Sequence, residues 1–284
     1  MESLTWLTGP FLGFLVGIVL ALTGAGGGIL GVPLLTLGLG LGLTQAAPIA
    51  VCAVAVASAL GAVMGLREGI VRYRAATVIA LGGMLTAPLG VWLGLHLPTR
   101  PLTYALALIL AALALRRLRR REAQGPAQAS AQTPAQAQEN PAASHAPPCH
   151  TSAQDGRLIW TAPCARIIAS TGALAGLLNG LFGVGGGFVV VPALERQTDL
   201  ALHSIQATSL MAIALVSLVS AGTAALTGTL DVQLALEFSA GACAGILAGL
   251  LVSQHLPTQH REQIFAWTVL LAAVLLAARA SGWL

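Results

Sequence analysis

A ten-residue pattern, G-x-G-G-G-x-x-x-x-P, occurs twice in this chain, each time inside a long apolar run. Gly24 to Pro33 read GAGGGILGVP, and Gly183 to Pro192 read GVGGGFVVVP. The offset between them is 183 − 24 = 159 residues. His96-Leu97-Pro98-Thr99 returns as His255-Leu256-Pro257-Thr258 at the same offset, 255 − 96 = 159. Two separate motifs at one offset predict two copies of one unit, with the glycine stretch at the same place in each.

Such a stretch restricts what the chain can fold into. Glycine costs roughly 1 kcal/mol against alanine in a helix. Three in a row, with Gly24 or Gly183 just ahead, are expected to interrupt one. An interrupted backbone in lipid leaves N–H and C=O groups unpaired, and this is tolerated only where protein or water surrounds it. In transporters such interruptions sit near the midplane and bind substrate, often at half-helix N-termini that favour anions. The plainer reading is close helix packing, because small residues let backbones approach.

Composition decides the solvent. Of 284 residues, 56% are hydrophobic and only 8% are charged, against about 25% charged in soluble domains. This predicts an all-α integral membrane protein and excludes a soluble catalytic domain. The start, MESLTWLTGPF, lacks a basic n-region, and the apolar run from Phe11 to Leu43 is too long for a signal peptide, so the segment is expected to be retained.

Four apolar segments are expected in each half. In the first they run from about Phe11 to Leu43, Gln45 to Leu66, Ala75 to Leu95 and Leu102 to Leu115. In the second they run from about Leu158 to Leu194, Ile205 to Leu226, Val232 to Val252 and Gln263 to Ala278. Between them, Glu122 to Gly156 is rich in Ala, Gln, Pro and Ser without apolar periodicity, which predicts a disordered linker. The expected organisation is therefore a membrane repeat at 1–121, a linker at 122–156 and a second membrane repeat at 157–284.

The net charge of +4 comes from arginine, since the chain has no lysine. The cluster Arg116, Arg117, Arg119, Arg120 and Arg121 follows an apolar segment, where a positive-inside signal is a better reading than nucleic-acid binding. Together with Arg67, Arg72 and Arg74 it places the loop from Arg67 to Arg74 and the central linker in the cytoplasm. The corresponding turn in the second half, TGTLD, has no arginine and ends in Asp231. That asymmetry favours two halves inserted upside down relative to each other. Inversion requires an odd number of crossings per half, so each glycine segment would re-enter rather than cross. Parallel repeats with eight full spans are the rival.

Chemistry-bearing residues are sparse. Glu237 lies a few residues into its segment, and His96 and His255 sit beside Leu-Pro at segment ends. The cysteines Cys52, Cys149, Cys164 and Cys243 show no C-x-x-C spacing. Cys149 beside His150 is a weak metal or thiol signal, whereas Cys52 and Cys243 read as packing residues. No metal, cofactor or nucleotide site is expected, and no nucleophile constellation. What remains are neutral donors around the glycines. Thr23 precedes the first stretch, Asn179 precedes the second, and Gln45 and Gln206 open the segments that follow. Backbone N–H groups with Asn, Gln, Thr and Ser donors suit a small oxyanion without burying a second full charge. For the hydroxyls, including Ser58, Ser217 and Ser220, bonding between helices is an equal alternative.

NGLFGVGGGFVVVPAL followed by QATSLMAIALVSLVSAGTAALTGTLD resembles the sulfite exporter TauE/SafE family of membrane permeases. The resemblance covers both membrane halves and is strongest in the second. It implies two related halves and carriage of small sulfur-containing anions, such as sulfite or organosulfonates, across the bacterial inner membrane. Gly183, Gly185, Gly186, Gly187 and Pro192 match its motif, as do Gln206, Thr208 and Ser209. In the first half Gly24, Gly26, Gly27, Gly28 and Pro33 are present, but Ala47-Pro48 replaces the Thr-Ser pair. The expected function is a secondary transporter of a small anion, with a passive anion channel or a non-transporting membrane partner that docks a cytosolic protein through the linker as alternatives. An enzyme is not expected, and the sequence is silent on oligomeric state.

Overall fold

The computed structural model describes residues 2–23, 28–128, 149, 162–198, 200–253 and 258–281. Ten helices are found among them: α1 (Glu2–Thr23), α2 (Gly28–Gly38), α3 (Leu43–Arg67), α4 (Tyr73–His96), α5 (Thr99–Gln128), α6 (Ala162–Phe182), α7 (Gly187–Gln197), α8 (Leu202–Leu226), α9 (Val232–Ser253) and α10 (Thr258–Ala280). Five of these, α3, α4, α6, α8 and α9, are long and apolar enough to cross a membrane. Helices suit that setting because each satisfies its backbone polar groups internally. The expected segment Leu158 to Leu194 is two helices, α6 and α7. α5 runs to Gln128 rather than ending at 121: Arg, Glu and Ala carry it through 123, and it continues past Gly125 and Pro126, which helix propensity does not explain. The remaining linker positions, 129–148 and 150–156, lie outside the described residues.

Large side chains point outward and small ones inward, the reverse of a soluble protein. On α4, Leu81, Leu85, Leu89 and Trp92 form an exposed apolar stripe, with Leu85 78% exposed. The opposite face carries glycines. A Cβ on Gly82 or Gly90 would overlap the carbonyl oxygen of Ala169 or Leu177 on α6. In return, one on Gly172, Gly176 or Gly180 of α6 would overlap the carbonyls of Ile79, Gly83 or Ala87 on α4. α1 and α9 pair in the same way, through Gly13 and Gly17 against Phe238 and Ala242, and through Gly241 and Gly245 against Pro10 and Phe14. Without a hydrophobic force between helices in lipid, such backbone-to-backbone contact is what holds them together.

The contacts also fix directions. Residue numbers rise together in both pairs (Ile79 with Gly172, Ala87 with Gly180; Phe238 with Gly13, Ala242 with Gly17), so α4 runs parallel to α6 and α1 parallel to α9. α3 and α8 are antiparallel, because Gly61 meets Leu210 while Gly65 meets Ala207. At one face the start of α8 stitches the loop between α3 and α4. Ser204 Oγ donates to Ile70 O at 2.7 Å, and the Arg72 N–H donates to Thr208 Oγ1 at 3.0 Å.

That face holds the ends of α3, α5, α7 and α9 and the starts of α4, α6, α8 and α10. It therefore collects Arg67, Arg72, Arg74, the five-arginine cluster of α5, Arg166, Arg196 and Arg261, while Arg100 and Arg279 sit at the other. The core between the faces is apolar and includes Leu20, Ile29, Val32, Leu35, Ile49 and Phe238.

Candidate functional site at the glycine bend

After Phe182 the chain turns through three glycines with positive φ: Gly183 at 71°, Gly185 at 75° and Gly186 at 63°. The left-handed region costs a residue with a Cβ roughly 1–2 kcal/mol, so glycine is what makes the bend affordable. α6 ends as the Gly183 N–H donates to Asn179 O at 2.9 Å. α7 begins with Gly186 O accepting from the N–H groups of Val189 and Val190 at 3.1 and 3.3 Å. A Cβ on Gly186 would lie 2.8 Å from Ala175 O, so the chain has doubled back along α6. α6 and α7 thus make a hairpin whose bend is inside the molecule. Its open end is at the arginine-rich face, where Cys164 of α6 is disulfide-bonded to Cys149, whose N–H donates to Gln197 O of α7 at 3.2 Å.

The start of α2 meets this bend. A Cβ on Gly28 would lie 2.9 Å from Val184 O and 3.1 Å from Val54 Cγ2. One on Gly185 would lie 2.9 Å from Val54 Cγ1 and 3.7 Å from the Gly28 Cα. Val54 is near the middle of α3, so α2 and α7 both begin in the interior. α2 then runs to the arginine-poor face. There the Arg279 guanidinium of α10 donates to Thr36 O, and to Gly40 O at 2.8 Å. A cation on a helix's last carbonyls satisfies them and complements the helix dipole.

Asn179 braces the bend from beneath. Its Oδ1 accepts from the Gly185 N–H at 2.7 Å, and its Nδ2 donates to Ser220 Oγ at 3.1 Å and Ser217 Oγ at 3.2 Å. Asn179, Ser217 and Ser220 are all buried. A cavity of about 30 Å³, room for roughly two waters, reaches Ser220, Gly180 and Leu181 from the arginine-poor face between Thr44, Ala47 and Thr229. A smaller one, about 10 Å³, lies against Gly185 and Gly186 and is walled by Ile79, Ile213 and Val216.

The expected site residues divide accordingly. Gly28, Asn179, Gly183, Gly185, Gly186 and Gly187 come together. Gly24, Gly26 and Gly27 lie outside the described residues, and Thr23 is the last residue of α1. Pro33 is buried one turn into α2, where its carbonyl accepts from Thr36 Oγ1 at 3.0 Å, and Pro192 is half-buried in α7. The residues after each glycine stretch face elsewhere. Gln45 is exposed in the first turn of α3, and Gln206 is half-buried. Thr208 is buried on the Arg72 N–H, and Ser209 Oγ donates to Gln206 O at 2.8 Å. Two contacts were not readable from the sequence. Arg279 carries no motif, and the spacing of Cys149 and Cys164 resembles no known framework; the disulfide replaces the metal or free-thiol reading of Cys149.

The family model described as "Sulfite exporter TauE/SafE" matches residues 10–276. A "Probable membrane transporter protein" of Xylella fastidiosa (strain 9a5c) is 30% identical over 269 residues, covering 92% of this chain and 91% of the relative. Its counterpart from Xylella fastidiosa (strain Temecula1 / ATCC 700964) is 30% identical over 268 residues, with coverages of 92% and 91%. No solved structure matches the chain. With the family model matching residues 10–276, the chain belongs to the sulfite exporter TauE/SafE family of multi-pass membrane transporters and is not an enzyme.

Proposed function

We propose that this protein is a secondary transporter of small sulfur-containing anions, sulfite or organosulfonates, in the bacterial inner membrane. The observation that carries the reading is the meeting of Gly28 with Val184 and Gly185 in the interior. It brings two half-helix N-termini to one place. The first-turn N–H groups of a helix have no partner within it and carry the positive end of its dipole. Two such ends, without a buried arginine, attract an anion and still let it leave. The family's name supplies the sulfur oxyanion, whose oxygens would accept from N–H groups at such helix starts.

The two halves, 1–121 and 157–284, are read as inverted repeats. α1 and α6 correspond at the common offset (172 − 13 = 159 for their packing glycines) but run in opposite directions, as do α3 and α8. Each half then contributes a glycine-bent segment that re-enters and three that cross. We read the arginine-rich face as cytoplasmic by the positive-inside effect, and the central linker with it. Substrate would reach the bend from the arginine-poor side through the cavity beside Ser220, and reach the other side when one half moves against the other.

The test is uptake and counterflow of sulfite and of a small sulfonate in proteoliposomes, for the wild type and Gly186→Leu. Saturable counterflow, lost in the variant while the protein remains folded, is the expected result. Flux without counterflow means a channel, and no flux of either anion overturns the substrate class.

A further inference from the structure

We infer that Cys149 and Cys164 are a redox-active thiol pair that staples the open end of the α6–α7 hairpin. Cys164 lies in the first turn of α6, and its Cα is 5.3 Å from that of Cys149. Cys149 is held to the end of α7 as well, through its N–H on Gln197 O and a parallel bridge with Thr198. One residue therefore joins the two ends of a hairpin whose bend is the candidate substrate site. The oxidised pair is a covalent tie across the base of that hairpin. The reduced pair leaves Cys149 on α7 by backbone hydrogen bonding alone.

The reason to expect both states is the compartment. The staple sits at the face that carries Arg67, Arg72, Arg74, Arg166 and Arg196. Disulfides persist in oxidising compartments, and those found in the cytoplasm are mostly transient or redox-sensing. A disulfide on an arginine-rich face is thus a reversible one, provided that the cytoplasmic orientation proposed above holds. In the exchange the two thiols give up two electrons and two protons to the disulfide of a small-molecule thiol couple. That disulfide leaves as two thiols, and the reverse reaction reopens the staple. Both cysteines are fully buried, so exchange requires Cys149 to lift from α7. Its backbone is tied to α7 by one isolated bridge, and local opening of so small a unit is among the least costly. The first half has nothing comparable, since 164 − 159 = 5 and residue 5 is Thr5. The staple acts on the α6–α7 hairpin only.

The experiment uses full-length protein in growing cells, acid-quenched and then labelled with a mass-tagged maleimide, before and after the thiol oxidant diamide. The expected result is that Cys149 and Cys164 lose their labels together on oxidation, while Cys52 and Cys243, the free cysteines, keep theirs. Purified protein then gives the structural readout. Amides of Gly187–Gln197 should exchange with solvent about tenfold faster in the reduced form, and Cys164→Ser should show the fast rate under both conditions. A pair that is already a disulfide in growing cells and resists dithiothreitol would overturn the proposal, as would one that stays reduced under diamide, or equal exchange rates. Orientation is read separately, from Glu68→Cys and a membrane-impermeant maleimide applied to spheroplasts. Labelling from outside refutes the cytoplasmic placement and leaves the thiol result to be judged by itself.

Discussion

Asn179 does at the α6–α7 bend what the residue 159 positions earlier in the chain cannot. Subtracting the offset, 179 − 159, gives Leu20, a buried apolar residue. Ser217 maps to Ser58 in the same way, since 217 − 159 = 58. Ser217 bonds to Asn179, but Ser58 Oγ is buried without a hydrogen-bond partner among the described residues. A donor or acceptor left unpaired in the interior costs about 1–3 kcal/mol. Asn179→Leu should therefore destabilise the protein by about that amount, because it strands the Gly185 N–H and takes the donor from Ser217 Oγ, while Ser220 Oγ keeps its bond to Val216 O. Thermal unfolding in detergent checks this, with Gly228→Ala as the comparison. Gly228 also has positive φ, 69°, but nothing within 4 Å of a Cβ, so only the conformational cost, about 1 kcal/mol, applies there.

At the scale of elements, the glycine faces decide which helices can touch. Gly176→Leu should separate α6 from α4, because its side chain would have to occupy the space of the Gly83 backbone. Gly222→Leu on α8 should be tolerated, since a Cβ there meets nothing within 4 Å. Yield of monodisperse protein and its melting temperature would distinguish the two. The interruption of the segment from Leu158 to Leu194 was legible because clustered glycines have a local physical meaning. The partners of that bend were not, because Val54, Ala47 and Gly28 reach it only through the packing of α2 and α3. Gln45 shows the limit of reading by sequence proximity. It follows the first glycine stretch closely, yet the turn after α2 leaves it exposed. Thr208 and Ser209 match the family motif, but their hydroxyls bond to Arg72 N–H and Gln206 O, stitching the α3–α4 loop and their own helix. The staple was invisible for a related reason: two cysteines 15 residues apart say nothing until the fold brings α7 beside them.

For the whole molecule, the two tightest pairings, α1 with α9 and α4 with α6, each join a helix before residue 128 to one from residue 162 onward. Neither of these stretches can cover its own glycine faces. Expressing 1–128 and 162–284 as separate chains in the same cell should give a complex that purifies as one species, whereas either chain alone should be degraded. Pull-down through a tag on one fragment measures this, and stable accumulation of a lone half would contradict it. The crossed pairing also bears on ancestry. On the inverted reading, a protein made of one such unit would have needed a second copy, inserted the other way up, before it had a closed interior. Fusing two genes would then have fixed in one polypeptide an arrangement that had depended on the same sequence entering the membrane in both orientations, and only afterwards could Asn179 and Leu20, or Cys164 and Thr5, become different.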